Sequence, residues 1–454
     1  MNKVISRPAK SLSSIKISYT SIVKAAFVIL AVFIFANLNG VITMFTGIKA
    51  PTSPIILLFS AVVIYLGVFK LGVSLKSKYL YLFLGTMLMY LFIGTCSVLW
   101  DDSMVHKKIS LYQDVYRRYV ASFITIVAFY VGTKVLLREG ENSSILKLLA
   151  PYFIFSILVV VFGHYFGLYD AFEFGKFDVK DENRSTGLYT NPNEAGVAAN
   201  FAMVILIANF IRAKRKFVYI PFLGVAIVAV FMSFSKAAII VMLLLFVVYL
   251  GWSLLYVRRN SFMNNIIFAI IGGIFFIGIN YVILNFDELY GQLSSAQQFR
   301  VKGAMALMNG EINESTTSER SLLFERGIKL IKEKPFFGNG VSTFHRFNDG
   351  GVELGVHNTY LMLWGESGIF VLVLFVFTLL YMGVKGLVLG IPRFSFFIIG
   401  IMLVYILNVC GAGHTALSNR TSNAMIGITI ALLGARKVRS VSYTGHNFKS
   451  IDIE

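Results

Sequence analysis

Apolar runs of roughly 20 residues, parted by short polar stretches, recur from residue 21 to residue 435. The strict alternation of a strand is absent, and lipid admits only helices or closed barrels. The pattern therefore predicts an all-α polytopic membrane protein. About twelve spans are expected, over 21–45, 54–73, 78–99, 118–137, 145–166, 194–212, 216–234, 237–257, 264–285, 358–384, 394–412 and 421–435. The chain then divides into a bundle of spans one to nine (1–285), a large loop (286–357), spans ten to twelve (358–435) and a basic tail (436–454).

The large loop has a pattern of its own. In RSLLFERGIKLIKEK (320–334), Leu323, Phe324, Ile328 and Ile331 share one helical stripe, and charged residues cover the other side. An amphipathic helix is expected there, stopped by Pro335 and lying on the membrane surface or on the bundle.

Composition agrees with the pattern. The chain is 57% hydrophobic with mean hydropathy +0.74, and 14% of its 454 residues are charged. A soluble domain has about 25% charged residues. The net charge of +18 raises the question of nucleic acid. The basic clusters RAKRK (212–216), VRRN (257–260) and ARKVR (435–439) all fall on one side of the expected topology. That is the positive-inside pattern, so nucleic acid is rejected as a partner and both termini are expected in the cytoplasm. No cleavable signal pattern is read in the polar N-terminal segment, and the first span is expected to be retained. Cys96 and Cys410 fall in expected spans and read as small buried apolar residues, with no disulfide or zinc spacing.

The polar residues with chemistry collect on the opposite, outer side. Arg184 precedes span six, and Asn193 opens it. Ser233, Ser235 and Lys236 form the turn SFSKAA. Arg320 opens the amphipathic helix, which also carries Arg326. His357 and Asn358 open span ten, and His414 and Arg420 lie in GAGHTALSNR. Arginine suits phosphate and keeps its charge, and a neutral histidine can take a proton at pH 7. Together they suit glycosyl transfer from a lipid pyrophosphate: cations hold the leaving group, and a base activates the acceptor hydroxyl. Glu366, inside span ten, is a costly intramembrane carboxylate and so a functional candidate. It lies nine residues from His357, about 13 Å along a continuous helix, and would hydrogen-bond within the bundle unless the helix breaks at Gly365. Tyr169, Phe172, Phe174, Tyr189 and Tyr290 are aromatics that could stack on sugar rings.

Three blocks resemble a known family. RSTGLYTNPNEAG (184–196), RSLLFERGIKLIKEKPFFGNGVSTF (320–344) and HNTYLMLWGESG (357–368) are similar, in order and spacing, to motifs of the O-antigen ligase/O-antigen polymerase superfamily. The resemblance implies a membrane-embedded glycosyltransferase of the bacterial inner membrane, working on its periplasmic face without metal or cofactor. It implies His357 as the base, with Arg184 and Arg320 on the pyrophosphate. Many members have arginine where this chain has Lys236, which keeps the charge but loses the planar fork. Asn193, Asn358, Arg326, Glu366, His414 and Arg420 are supporting candidates. The expected partners are an undecaprenyl-pyrophosphate-linked oligosaccharide donor, a sugar acceptor, membrane lipids and a chain-length regulator protein.

Within that family the first reading is a polymerase that joins repeat units, since polymerases are its more numerous and divergent members. The second is a ligase that moves the polysaccharide to lipid A–core or to protein. A third reading is a flippase or other transporter of lipid-linked oligosaccharide. Transporters place ionisable groups near the bilayer midplane, whereas here they gather at one face.

Overall fold

The computed structural model describes residues 18–42 except 39, 52–100, 109–138, 144–165, 185–255 except 190, 212 and 214, isolated positions between 266 and 306, 320–344, 347–349, 352–354, 356–389, 391–411, 413 and 416–434. In order, the helices are α1 (Tyr19–Phe35), α2 (Thr52–Tyr65, running on as a π-helical turn Leu66–Lys70), α3 (Lys78–Trp100), α4 (Ile109–Arg138), α5 (Ser144–Tyr165), α6 (Pro192–Phe210), α7 (Tyr219–Met232) and α8 (Lys236–Leu255). Then come α9 (Arg320–Glu333), the strands β1 (Phe347–Asp349) and β2 (Val352–Leu354), α10 (Thr359–Ser367), α11 (Ile369–Leu387), α12 (Pro392–Leu403, ending in a π-helical stretch Val404–Cys410) and α13 (Arg420–Leu433).

Among the described residues, eight helices are long and apolar enough to cross a membrane. The apolar helices Tyr19–Phe35 and Lys216–Met232 are shorter. α13 has 14 residues, and the expected span 264–285 lies mostly outside the described residues. The exposed side chains are themselves apolar: Phe370, Val373, Phe377, Leu380, Val384 and Leu387 form one outward stripe on α11. A stripe at helical spacing that faces outward and is apolar throughout is a lipid-facing surface. The chain is a polytopic helical membrane protein.

α6 is the centre of the bundle. It is buried along nearly its whole length and packs against α5, α7, α8 and α12. Its early turns carry Ala195, Gly196, Ala198, Ala199 and Ala202. Small residues let neighbouring backbones approach, which is how helices associate where lipid supplies no hydrophobic drive. α13 packs along α4, and α12 against α11.

The structure revises several of the sequence expectations. Span ten is two helices: α10 has nine residues, about 13 Å long, too short to cross a hydrocarbon core of about 30 Å. The break is Gly368, at φ 86° and ψ 172°. The crossing is made by the 19 residues of α11. α4 begins at Ile109, so the stretch between the expected spans 78–99 and 118–137 is helical from there on. A short antiparallel hairpin, Phe347 opposite Leu354, joins the otherwise helical fold. Cys410 is buried as expected, but Cys96 is exposed on the face of α3 that also presents Leu88, Phe92 and Leu99.

The amphipathic helix is α9, and over its described side chains, 323–333, Leu323, Gly327 and Ile331 are the buried positions. It packs on α10. Phe324, expected in the inward stripe, is exposed, as are Phe336 and Phe337 just beyond the helix. The Phe336 ring sits 6.2 Å from that of lipid-facing Phe370. This end of α9 therefore lies beside the lipid-facing surface of α11.

Candidate active site

Several helices start at one end of the bundle, and their caps are stitched together. α6 is capped by Asn191, whose side chain accepts the Asn193 N–H at 2.8 Å, with Pro192 at the first helical position. Asn-Pro-Asn is thus a start signal written in sequence. α8 starts after Ser235, whose carbonyl accepts the Ile239 N–H at 3.0 Å. Asn200, two turns into α6, donates its side-chain amide to the Ala238 carbonyl at 3.0 Å, and Gly196 in the second turn packs on Ser233, Ser235 and Ala238, so the two helices begin side by side. α13 is capped by Asn419, whose Oδ1 accepts the Ser422 N–H at 2.9 Å. The Asn419 amide also reaches Glu194 in the first turn of α6 at 3.4 Å.

α10 begins at the same end. Asn358 caps it by accepting the Leu361 N–H at 3.0 Å and donates its own amide to the Gly411 carbonyl at 3.3 Å. Thr359 donates to the Gly413 carbonyl at 2.6 Å. Residues 411–413 lead directly into the segment that starts α13. Each helix start presents the positive end of a helix dipole. Four such ends make a setting that favours an anion.

The candidates fall into this arrangement unequally. Lys236 is the first residue of α8 and Asn193 lies in the first turn of α6. Arg420 is the first residue of α13 and donates to Ser53 at the start of α2 at 2.7 Å; burial, and after it the positive charge of Arg117 on α4, lower its pKa. His357 is half-buried and immediately precedes the cap of α10. Arg320 is the first residue of α9, and Arg326 lies farther along the same helix. Arg184 and His414 lie outside the described residues. The neighbour of Arg184 is placed: the Ser185 N–H donates to the Met232 carbonyl at 2.8 Å, directly beside the SFSKAA turn. The first motif block and that turn therefore share one place.

Tyr189, a candidate for stacking on sugar, is buried. Its hydroxyl pairs with Ser156 at 2.7 Å, and burial raises its phenol pKa. It is a packing residue. Tyr169, Phe172, Phe174 and Tyr290 lie outside the described residues.

Glu366 is fully buried. Its Oε1 accepts the Phe344 N–H at 2.9 Å. Its Oε2 accepts the Tyr90 hydroxyl from α3, and the Tyr119 hydroxyl of α4 donates to Tyr90 at 3.1 Å. Sequence reasoning expected a bond within the bundle but not these partners, which lie 276 and 22 residues away in the chain. Tyr90, Tyr119, Asn419, Glu194 and Ser53 were not among the candidates. Asn419 alone carried a local signal, as a capping residue ahead of an apolar run.

The Pro335–Phe344 segment is threaded through the α10–α11 break. The Asn339 and Gly340 N–H groups donate to the Gly365 and Glu366 carbonyls at 2.7 and 3.0 Å, and the Ile369 N–H donates to the Pro335 carbonyl at 3.0 Å. The Trp364 indole also donates to that Pro335 carbonyl at 3.0 Å. Phe344 seats its ring over Gly365, where a Cβ would lie 2.0 Å from it. The second and third motif blocks are therefore one interlocked unit.

An asparagine that both caps and bridges is sensitive to truncation. Asn419→Ala is expected to lower the stability of the detergent-solubilised protein by about 1 kcal/mol, read as a fall in thermal unfolding temperature.

The fold and these contacts define a polytopic membrane protein in which four helix starts gather at one end of the bundle. Residues 221–376 match the family model described as O-antigen ligase. The match contains the second and third motif blocks and the SFSKAA turn, while the first block lies before it. It supports the resemblance to the O-antigen ligase/polymerase superfamily and an activity of that general, glycosyltransferase-like type. No curated protein matches the chain.

Proposed function

We propose that this chain is a polysaccharide polymerase of the bacterial inner membrane, joining undecaprenyl-pyrophosphate-linked oligosaccharide units on the periplasmic face. The observation that carries this reading is the gathering of four helix starts with Lys236, Arg420 and His357 at one end of the bundle. The donor's pyrophosphate binds among those positive ends, with Arg184 and Arg320 closing on it. His357 takes the proton from an acceptor sugar hydroxyl. The hydroxyl oxygen bonds to the anomeric carbon, the bond from that carbon to the pyrophosphate oxygen breaks, and the pyrophosphate leaves with the electron pair. Direct attack inverts the anomeric centre. The lipid tail stays in the bilayer, the product extends into the periplasm, and a chain-length regulator is the expected protein partner.

Twelve spans, with both termini cytoplasmic and the 286–357 segment periplasmic, complete the proposed topology. The basic clusters at 212–216, 257–260 and 435–439 support that orientation. A ligase that hands the chain to lipid A–core is the second reading, favoured by the description of the matching family model.

Purified protein given only lipid-linked repeat units is expected to produce a ladder of longer oligomers on a gel. Transfer that appears only after lipid A–core is added would replace the polymerase by the ligase. Substrate crossing a liposome bilayer, with neither product, would replace both by a transporter. In the same assay Arg320→Ala is expected to raise the donor KM about tenfold, as loss of one charge-assisted contact does. An unchanged KM would make Arg320 a surface residue.

A further inference from the structure

We infer that Glu366 is a positioning residue for His357, acting through the peptide of Phe344. The inference rests on the reading of His357 as the base. One short relay connects the two residues. Glu366 Oε1 accepts the Phe344 N–H at 2.9 Å. The Phe344 carbonyl accepts the Val356 N–H at 3.1 Å, and Val356 is bonded to His357. Just beyond, Asn358 and Thr359 are held by the Gly411 and Gly413 carbonyls. The backbone is thus fixed on both sides of the histidine, and the carboxylate sets one of the two fixings.

The chemistry of the site suits a carboxylate. Both of these partners of Glu366 are donors: an amide N–H that cannot turn, and the Tyr90 hydroxyl backed by Tyr119. An ionised carboxylate is acceptor-only, so each oxygen meets one donor. Buried without such partners, the charge would be costly. Glutamine retains an oxygen for the Phe344 N–H and turns its NH2 to Tyr90, whose hydroxyl can accept. Leucine fills the volume and leaves the Phe344 N–H unmet. Carboxylate and amide therefore hold the Phe344 peptide, and the hydrocarbon releases it.

The test compares Glu366→Gln and Glu366→Leu in the full-length protein in detergent, with two readouts. One is turnover, separated into kcat and donor KM. The other is the rate at which diethyl pyrocarbonate modifies His357, followed by peptide mass spectrometry, which reports on the histidine whether or not it is the base. Glu366→Leu is expected to lower kcat at least tenfold with donor KM within twofold, and to change the modification rate at least threefold. Glu366→Gln is expected to stay within about threefold of the parent in kcat and to match it in modification rate. A folded Glu366→Leu protein with the parent's modification rate overturns the positioning role. A changed modification rate with unchanged kcat leaves the relay standing and removes His357 as the base. If Glu366→Leu fails to insert, Tyr90→Phe is read the same way. It takes one donor from the carboxylate and leaves the ring packing. A smaller shift in the same direction in both readouts supports the relay, and none overturns it.

Discussion

His357→Ala is expected to lower kcat for chain extension by about a thousandfold, within the range of about 10² to 10⁴ that a general base contributes. The protein should still insert and still bind donor, because the cationic residues sit on other helix starts. Lys236 begins α8 and Arg420 begins α13. The bonds that Val356, Asn358 and Thr359 make on either side of the histidine do not use its imidazole and are expected to survive. The check is the gel ladder from lipid-linked repeat units alongside a donor-binding measurement on the same preparation. A normal ladder would remove His357 from the chemistry. A lost ladder with lost donor binding would place the histidine in binding instead of proton transfer.

What the sequence made legible was local. Asn-Pro-Asn announces the start of α6 because a cap and a proline act within three residues of each other. The stripe of α9 is visible because it repeats at helical spacing, and Pro335 ends it nearby. Phe324 misled because a stripe predicts which positions share a face, not how wide the contact beneath is. The break after α10 was hidden because GESGIF continues an apolar run without a polar interruption long enough to mark an end. Only the φ of Gly368 reveals it.

The site was legible as a set of residue types and not as a place. Each capping asparagine looks like any other in sequence, and their convergence depends on packing between helices far apart in the chain. Asn419 meets Glu194 across 225 residues, and Arg420 meets Ser53 across 367. Glu366 shows the same limit. Its burial cost argued for a partner, yet no periodicity points from residue 366 back to Tyr90 on α3.

Gly368→Ala is expected to destabilise the protein by about 4 kcal/mol, at the upper end for a single substitution. Two effects add. The backbone at φ 86° and ψ 172° lies in a region open essentially to glycine alone, which costs a side chain of order 1–3 kcal/mol. The new Cβ would also stand 1.8 Å from the Phe336 carbonyl oxygen, a backbone atom with no rotamer to relieve the contact. The α10–α11 joint must then open, and with it the bonds from Pro335, Asn339 and Gly340 that hold the threaded segment. That segment ends at Phe344, so Glu366 loses its amide partner and Val356 its carbonyl. Activity should fall together with thermal stability. Gly383→Ala is the control on the same membrane-crossing helix. Its Cβ meets nothing closer than 3.9 Å, and alanine favours a helix by up to about 1 kcal/mol over glycine. It should unfold at or above the parent temperature with parental turnover. Equal behaviour of the two variants would mean that the polypeptide does not turn at Gly368, and the interlocking of the second and third motif blocks would go with it.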